Sequence, residues 1–437
     1  MKLFNNKEKL LILLCNILLL FLLCFIFYLL WIQYYGEIIY FYRKGNWLIV
    51  SMYFINLLLF NKLYGGFRLV YSKFGDLVFS QVLSSLLANI SLYLIASLIK
   101  KTFIPINGFF AILAVNIVTI FIITTLVKKL IRIFIKKKNT LLLYSDSHIS
   151  FVNKLDKYYS YFFNIMTCIN DNDYSNQSFD EYDTIILYNL NEISKAQYIT
   201  KCYECDKPVI IVPSVRDIIM RFSSVIHIID TPMLISNRFG PGIWSRGVKR
   251  ILDIFMSSIL LLLTFPFVVI TAISIKLFDK GPILYSQTRV TRNNREFKVY
   301  KFRSMKVDAE NGSGAQLAKE NDNRITKIGK FIRKTRIDEL PQLFNILKGD
   351  MSFVGPRPER PELIKKILED VPEFNYRLNV KAGLTGYAQV YGKYNTDLKD
   401  KLLLDLIYIE NYSVLLDIKI ILMTIKIIFI KDSTEGI

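Results

Sequence analysis

Long apolar runs constrain this chain more than any other feature of its sequence. Four of them fill the N-terminal third, at about Leu10–Ile32, Trp47–Phe60, Leu77–Ile99 and Gly108–Val127. Each run is apolar enough to form a membrane helix, although the second is short. The sequence therefore predicts a four-helix transmembrane region in residues 1–138, and the first run predicts an anchor that is not cleaved.

The composition excludes an ordinary soluble enzyme. Of the 437 residues, 52% are hydrophobic and 14% are aromatic, and the formal net charge is +19. Because the basic residues flank the apolar runs, this charge favours an anionic lipid surface over a polynucleotide. We therefore expect membrane lipid as a partner, and no nucleic acid.

The lysines and arginines between the apolar runs predict the orientation of the four helices. Loops on the cytoplasmic side of a membrane carry an excess of these residues. One side holds Arg43, Lys44, Lys100 and Lys101. The other holds the larger set, namely Lys2, Lys7, Lys9, Lys62, Arg68, Lys73, Lys128, Lys129, Arg132, Lys136, Lys137 and Lys138. Both ends of the transmembrane region are thus expected to face the cytoplasm.

Residues 139–235 change to short β-rich runs separated by polar helical stretches. The runs are "TLLLYS" from Thr140, "DTIILYN" from Asp183, "KPVIIVP" from Lys207 and "VIHIID" from Val225. This alternation predicts a Rossmann-like α/β domain with a parallel sheet. The segment after the first strand, "YSDSHISF", has no glycine, so the dinucleotide-binding fingerprint is missing. A structural or regulatory role is favoured over catalysis.

A fifth apolar run starts at Ile251 and is uncharged from Ile254 to Ile275. These 22 residues could cross a hydrocarbon core of roughly 30 Å at about 1.5 Å per residue, so hydropathy alone favours a spanning helix. Pro266 near the middle, and basic residues on both flanks, favour instead a hairpin that enters and leaves by one face. Near the C-terminus, charges interrupt the apolar run Ser413–Ile430, which predicts a helix at the membrane interface.

The segment "IDELPQLF" sets two adjacent acids, Asp338 and Glu339, ahead of an apolar helix. Basic residues within the two preceding turns should keep both carboxylates ionised. Because proline is tolerated only in the first helical turn, Pro341 predicts a helix that begins near Asp338. The pair could hold a divalent cation and present a nucleophile, or it could simply cap the helix.

Other anion-binding elements share the same part of the chain. Lys301 and Arg303 end the β-like run "KVYKFRSM", and Arg357 lies in the stiff, proline-rich loop "GPRPERPE". Proline-framed arginines are oriented in advance for phosphate or carboxylate. Together with a membrane anchor or hairpin, these elements suggest a soluble anionic substrate that meets a phosphate-bearing lipid.

From about Arg246 to Ile430 the chain resembles the bacterial sugar transferases, which are monotopic phosphoglycosyl transferases. The motifs that carry the resemblance are "KRILDIFMS" from Lys249, "KGPILYSQTRV" from Lys280, "KVYKFRSM" from Lys298, "IDELPQLFNILKGDMSFVGPRPERPE" from Ile337 and "KAGLTGYAQVYGK" from Lys381. The N-terminal helices and the Rossmann-like domain resemble the large undecaprenyl-phosphate sugar phosphotransferase type.

The resemblance implies a membrane protein of the α plus α/β class with a mainly helical catalytic domain in residues 236–437. This domain would contain a re-entrant helix at about 251–277, marked by Arg250, Asp253 and Pro266. The family departs from this chain in often having serine where Phe265 stands and glycine where Thr291 stands. The implied location is the inner (cytoplasmic) membrane, with several spans and the active site on the cytoplasmic face.

The resemblance also implies the chemistry. Asp338 would attack a nucleoside diphosphate sugar and form an aspartyl phosphosugar, which undecaprenyl phosphate would then take. Glu339, with Asp338, would bind Mg²⁺. The residues carried over as phosphate contacts are Lys301, Arg303, Arg333 and Arg357. Such a reaction begins the synthesis of a capsule, an exopolysaccharide or another surface glycan. The sugar is not predicted, and a homodimer is left open.

Two other functions remain as alternatives. A membrane-tethered nucleotide-sugar dehydratase or epimerase would need a glycine-rich dinucleotide loop. A non-enzymatic polysaccharide assembly protein would be expected to carry coiled-coil heptads or a nucleotide-binding loop. Neither feature is apparent in the sequence.

Overall fold

The chain divides into two compact units, Met1–Val212 and Pro213–Ile437. The computed structural model describes residues 3–38, 45–145, 148–171, 178–236, 240–306, 322, 324–392 and 396–428. Each unit has a large apolar core of its own.

Four long helices form about half of the first unit: α1 Asn6–Tyr35, α2 Gly45–Tyr64, α3 Phe74–Lys100 and α4 Asn107–Phe134. The predicted helices are confirmed, and each is longer than its apolar run. All four are long and apolar enough to cross a membrane. Polar side chains also join them, because Asn116 of α4 donates to Tyr53 of α2 at 2.8 Å and to Ser85 of α3 at 3.0 Å. Such bonds between helices fix their register.

A four-stranded sheet completes the first unit. Its parts are β1 Lys138–Tyr144, α5 Ile149–Tyr159, β2 Phe163–Asn170, β3 Thr184–Tyr188, α6 Glu192–Glu204 and β4 Val209–Ile211. The strand order is β2-β1-β3-β4 and every pairing is parallel. The parallel sheet is thus confirmed. The sequence interpretation missed β2, because this edge strand is only partly buried and its apolar pattern is weak.

The fourth predicted strand, "VIHIID", lies elsewhere. It forms β5, Ser224–Ile228, which pairs antiparallel with β6, Thr231–Ile235, as a two-stranded hairpin of the second unit. The prediction that it joins the parallel sheet is wrong. A short apolar run indicates a strand but does not identify its partner.

The second unit is built around α8, Ile243–Ser274, which continues as a π-helical turn, Ile275–Asp279. Together these 37 residues form the fifth helix that is long and apolar enough to cross a membrane. Pro266 lies inside α8. Much of its apolar surface is exposed, including the side chains of Leu262, Leu263, Phe265, Phe267 and Ile270.

The rest of the second unit packs beside α8. Its elements are α7 Val215–Arg221, β7 Leu284–Val290, β8 Glu296–Phe302, α9 Lys327–Lys334, α10 Gln342–Lys348, β9 Ser352–Val354, α11 Pro361–Asp370, β10 Gly383–Thr385, α12 Tyr387–Tyr391, α13 Leu398–Glu410 and α14 Val414–Ile428. The side chains of Leu343, Ile346 and Leu406 lie fully inside its core. Asn345 of α10 connects this core to β8, since its side chain accepts from Tyr300 N at 3.0 Å and donates to Lys298 O at 2.7 Å.

Both ends of the apolar helix are attached to this same unit. Near its start, Arg250 donates to the carbonyl oxygens of Ile346 and Leu347 at 2.5 and 2.6 Å. Asp253 accepts from the backbone N–H of Phe353 at 2.8 Å. At the far end, Asp279 accepts from Thr326 Oγ1 at 2.7 Å.

One of the charges in α14, Asp417, has a different role from the one that the sequence suggested. Asp417 is buried and accepts from Lys249 Nζ of α8 at 2.6 Å and from the Tyr408 hydroxyl at 2.8 Å. This acid therefore joins α14 to α8 and does not mark a water-facing side. The location of α14 at the membrane interface stays a prediction.

Candidate active site

The acid pair lies on a single 3₁₀ turn, Ile337–Glu339, before α10. The α-helix begins only at Gln342, after Pro341, so the prediction of a helix that begins near Asp338 is wrong by about one turn. The reason is local, because Arg336 has the left-handed φ of 55° and sets the chain into a tight turn. No side-chain capping bond is present at the start of this turn or of α10. Helix capping therefore does not account for the pair.

Glu339 lies at the centre of a cluster of cations and is 9% exposed. Its Oε1 accepts from Lys301 Nζ of β8 at 2.9 Å and from Arg357 Nη2 at 3.1 Å. Its Oε2 lies 3.8 Å from Arg336 Nη1. Burial alone would raise the pKa of this carboxyl, but the positive charges of Lys301, Arg357 and Arg336 hold the pKa well below its usual range. Glu339 therefore stays ionised, as the sequence predicted.

Asp338 has a different environment, although it is the next residue. Its side chain is half-buried, and its carboxylate accepts no hydrogen bond from the part of the chain that the structure describes. Burial and the negative charge of Glu339 raise the pKa of Asp338 to about 6, against the lowering effect of Lys301, Arg333 and Arg357. Asp338 is thus ionised at pH 7, as the sequence predicted, but it gains a proton below about pH 6, because burial and Glu339 outweigh the neighbouring cations. One acid is a fixed anion and the other titrates near neutral pH, a division of roles typical of catalytic carboxylate pairs.

The structure brings three of the four predicted phosphate contacts to the acid pair. Lys301 and Arg357 bind Glu339 directly, and Arg333, in the last turn of α9, acts on Asp338 through its charge. Arg303 is turned away, since its Nη2 donates to the carbonyl oxygen of Lys280 at 2.5 Å. Its buried Nε and Nη1 find no acceptor among the described residues.

The remaining predicted residues hold α8 and do not contact the acid pair. Arg250 and Asp253 bind the ends of α10 and β9, as described above. Pro266 lies farther along α8, between exposed apolar side chains. Arg250 and Asp253 therefore contribute by attaching the apolar helix to the domain that carries it.

A buried ion pair that the sequence interpretation missed supports the Arg357 loop. Arg377 Nη2 donates to the carbonyl oxygen of Arg357 at 2.9 Å, while its Nε donates to Asp405 Oδ2 at 3.0 Å. The side chains of Arg377 and Asp405 are only 6% and 2% exposed. One signal was present, because Asp405 interrupts the apolar run "LLLDLIYI" at a position that faces the core.

A glycine lets the same loop approach its neighbours. A Cβ added to Gly355 would lie 2.3 Å from the carbonyl oxygen of Lys381 and 3.0 Å from Gly383 N, closer than real Cβ contacts allow. On the other side, Val290 N donates to the carbonyl oxygen of Glu359 at 3.0 Å. The loop that presents Arg357 is thus fixed from both sides.

The acid pair alone supplies too few ligands for a divalent cation, so substrate phosphates or water would have to complete the site. Among the described residues, no group of three or more histidine, cysteine or acidic side chains is arranged for a metal. Glu339 Oε1 is engaged by two cations, its Oε2 has only the longer 3.8 Å ion pair with Arg336, and the Asp338 carboxylate accepts no hydrogen bond from the described residues. Mg²⁺ is commonly held by one or two carboxylates together with substrate phosphates and water. The residues present fit that arrangement.

The model of the bacterial sugar transferase family matches residues 244–431, which include α8 and the acid pair. The UDP-N-acetylgalactosamine-undecaprenyl-phosphate N-acetylgalactosaminephosphotransferase of Aeromonas hydrophila is 45% identical over 184 residues, which are 41% of this chain and 43% of that protein. The undecaprenyl-phosphate glucose phosphotransferase of Komagataeibacter xylinus is 44% identical over 191 residues, or 42% and 36%. The match thus covers less than half the length of these two relatives.

A shorter relative is covered almost completely. The exopolysaccharide production protein PSS of Rhizobium leguminosarum bv. phaseoli is 42% identical over 197 residues, which are 43% of this chain and 96% of that protein. A match of this identity over nearly a whole relative establishes common descent. The chain belongs to the bacterial sugar transferase family.

Proposed function

We propose that this chain transfers a phosphosugar from a nucleoside diphosphate sugar, in particular a UDP-sugar, to undecaprenyl phosphate. The observation that carries the proposal is the division of roles in the acid pair. The Asp338 carboxylate is half-buried and accepts no hydrogen bond from the described residues. Glu339 already holds in place two of the cations that a phosphate substrate requires, Lys301 and Arg357. The names of the Aeromonas and Komagataeibacter relatives specify undecaprenyl phosphate, and the former also specifies a UDP-sugar.

The first step uses Asp338 as the nucleophile. A carboxylate oxygen of Asp338 forms a bond to the phosphorus that carries the sugar, and the bond from that phosphorus to the bridging oxygen of the diphosphate breaks. UMP leaves with the electron pair, and an aspartyl phosphosugar remains. Lys301, Arg333 and Arg357 offset the negative charge on the phosphate oxygens during this transfer.

The second step transfers the phosphosugar to the lipid. A phosphate oxygen of undecaprenyl phosphate attacks the same phosphorus, and the bond from phosphorus to Asp338 breaks. The products are undecaprenyl diphosphate sugar and the free Asp338 carboxylate. In the cell this reaction would be the first membrane step in the synthesis of a capsule, an exopolysaccharide or another surface glycan.

Mg²⁺ is the metal ion that we propose for the site. Glu339 and Asp338 would hold it together with the phosphates of the donor. A bound Mg²⁺ would neutralise charge on the phosphoryl oxygens and so favour attack by an anion.

The attachment of α8 supports a re-entrant helix. Asp253 and Asp279 lie near opposite ends of the apolar stretch, and both are bonded to the second unit. A helix that crossed the membrane would place these ends on opposite faces, where one domain could not reach both. We infer that the stretch enters the bilayer near Pro266 and returns to the same face. Nucleotide sugars are cytoplasmic, so this would be the cytoplasmic face of the inner membrane, with α1 to α4 as spans.

The alternatives have no comparable support. A dehydratase or epimerase would need a dinucleotide site, and β1 is followed by a sequence without the glycines of such a loop. For a non-enzymatic assembly protein, a titrating nucleophile among oriented cations would have no purpose.

The test is to measure UMP release by purified protein with undecaprenyl phosphate, Mg²⁺ and a panel of UDP-sugars. We expect Asp338→Asn to reduce the rate at least about 1,000-fold, because the amide is not a nucleophile. Asp370→Asn is the matched control, since Asp370 is exposed at the end of α11. Incubation with donor alone should add the mass of a phosphosugar to the peptide that contains Asp338. If Asp338→Asn formed lipid-linked sugar at a normal rate, the assignment of Asp338 as the nucleophile would be disproved. If no UDP-sugar of the panel led to UMP release by the wild type, the donor class would be disproved.

A further inference from the structure

A second cluster of basic side chains surrounds a cavity of about 50 Å³ in the second unit. This cluster, named the basic pocket below, lies between the start of α8, the turn of the β7–β8 hairpin and the segment before β10. One acidic side chain, Asp253, also lines it. The basic residues are Arg246, Lys249, Arg250, Arg292 and Lys381.

Two of these cations have partners inside the protein. Lys249 pairs with Asp417, and Arg250 donates to the backbone carbonyls at the end of α10. Asp253 is itself engaged, because it accepts from Ser352 Oγ at 2.9 Å and from the backbone of Phe353. In the part of the chain that the structure describes, no hydrogen bond or ion pair engages the three remaining cationic groups, those of Arg246, Arg292 and Lys381.

The backbone holds these cations close together. Gly349 ends α10 with a φ of +95°, and a Cβ added there would lie 3.4 Å from Arg250 Nη2 and 3.7 Å from Lys381 Nζ. A Cβ at these distances would make ordinary contacts with both cations, and it is the positive φ that favours glycine at this position. Arg292 is fixed by a tight hairpin turn, in which Asn293 and Asn294 both have a φ of 59°. Burial, and then the charges of Arg250 and Arg292, lower the pKa of Lys381, and the negative charge of Asp253 offsets only part of this effect.

The size of the cavity suits a phosphate group. A buried water needs about 10–15 Å³ on this measure, so a cavity of about 50 Å³ holds about four water-sized groups. A phosphate has four oxygen atoms. Its negative charge would relieve the repulsion among cations that the protein leaves uncompensated.

The surroundings of the basic pocket resemble a lipid interface. Ile243, Trp244, Val248 and Ile251 belong to the first turns of α8 and have exposed side chains. Tryptophan and basic residues are typical of the headgroup level of a membrane. The pocket is also separate from the acid pair, since five residues of β8, roughly 17 Å, divide Glu296 at the hairpin turn from Lys301.

We propose that the basic pocket is a phosphate-binding site, distinct from the reaction centre, and that it takes the phosphate of an anionic lipid headgroup or of a soluble phosphate. This site goes beyond the proposed transfer reaction and does not depend on it. A bound headgroup would fix the start of α8 at the membrane surface.

The test compares two variants of the full-length protein that each lose two positive charges. Arg292→Gln/Lys381→Gln removes cations of the basic pocket, and Lys365→Gln/Lys366→Gln removes exposed charges of α11. Purified protein in neutral detergent is titrated with phosphatidylglycerol, with diacylglycerol, and with inorganic phosphate at constant ionic strength. Thermal unfolding midpoints and native mass spectrometry report binding.

We expect phosphatidylglycerol to bind to the wild type and to the α11 variant, and to bind at least about tenfold more weakly to the pocket variant. Without ligand at low salt, the pocket variant should unfold at the same temperature as the wild type or higher, because repulsion is removed. This result would also show that it folds. Stabilisation by inorganic phosphate, lost in the pocket variant, would identify a soluble ligand as one source.

Three results would overturn the proposal. Equal losses of binding in the two variants would indicate a general effect of surface charge. Equal stabilisation by diacylglycerol would indicate apolar contact alone. Failure of both phosphatidylglycerol and inorganic phosphate to bind to the wild type would leave the basic pocket without a phosphate ligand. None of these measurements requires transferase activity, so they are independent of whether Asp338 is a nucleophile.

Discussion

Two clusters of basic side chains lie toward opposite ends of β8, and they differ in whether the protein supplies the counter-charge. Around the acid pair, Glu339 binds Lys301 and Arg357 through one oxygen. In the basic pocket, no acid among the described residues forms a hydrogen bond or ion pair with Arg292 or Lys381, and Asp253 acts on Lys381 only through its charge. A cluster with a resident anion is assembled before substrate arrives, whereas a cluster without one is complete only when an anion binds. The predictions below test this difference.

Among the variants that test this comparison, the largest loss of transfer rate should follow from removal of the resident anion. Glu339→Gln leaves Lys301 and Arg357 without a counter-charge, so the first cluster comes to resemble the second. We expect UMP release to fall at least about 100-fold as the cations lose their positions. The free energy of unfolding, measured with denaturant, should fall by about 2 kcal/mol, because buried charged hydrogen bonds are lost. Glu373→Gln, at an exposed position, is the control. A normal rate in Glu339→Gln would show that the cations do not need the acid.

The ion pair behind Arg357 should matter next. Arg377→Met leaves Asp405 buried and unpaired, and should destabilise the second unit by about 3–5 kcal/mol. The double variant Arg377→Met/Asp405→Leu should recover most of that stability. Its rate should nevertheless stay about tenfold low, because the carbonyl oxygen of Arg357 still lacks its donor. Full recovery of the rate would mean that the pair is only structural.

The pH dependence should reveal the raised pKa of Asp338, which burial and Glu339 move to about 6. Because the carboxylate is the reacting form, kcat/KM should fall about tenfold per pH unit below this value. In Glu339→Gln, Asp338 stays buried but loses the negative charge of its neighbour. The midpoint of the pH profile of this variant should therefore move to lower pH. A profile that stays flat from pH 7 to pH 5 would contradict the raised pKa.

The same pKa gives a stability prediction of definite sign. In the folded chain Asp338 binds its proton up to about pH 6, whereas the ordinary value is 3.8. Between these values the folded state holds more protons than the unfolded state, so the unfolding free energy should fall as pH rises through this window. Above about pH 6 this contribution should be constant. Asp338→Asn should remove this part of the slope in chemical denaturation, and an unchanged slope would point to another group.

The smallest effect should come from Lys381. Lys381→Gln removes a cation from an uncompensated cluster, so at low salt the unfolding free energy should stay the same or rise by less than about 1 kcal/mol. Lys301→Gln removes a partner of Glu339 and should lower it. High salt should reduce the Lys381 effect, since screening already weakens the repulsion. A clear loss of stability in Lys381→Gln would mean that the protein does supply a partner for this cation.

Local patterns predicted much of the fold and the centre of the site. The four N-terminal helices follow from continuous apolar runs, and the acid pair follows from an unusual sequence beside many cations. That Lys301 and Arg357 would lie near Glu339 came from the family resemblance. Neither spacing nor composition places β8 next to the loop that follows β9.

Features that depend on packing between distant segments were not predictable in the same way. Arg377 and Asp405 form an ion pair although they are 28 residues apart in the sequence, and neither local sequence specifies this pairing. Arg303 was expected at the acid pair, but the end of α8 engages its guanidinium. The basic pocket combines residues from Arg246 to Lys381, so it exists only in the folded unit.

The attachment of α8 at both ends has a consequence for how such genes can be built. The second unit carries its own helix that is long and apolar enough to enter a membrane, and this helix cannot be separated from the unit without breaking bonds at Asp253 and Asp279. A related gene could therefore lose the part that encodes the first 212 residues, or carry a different N-terminal region in its place. We expect that the remaining polypeptide would still bind to a membrane. The Rhizobium relative, of which 96% aligns with 197 residues of this chain, shows that a version of nearly this minimal size exists.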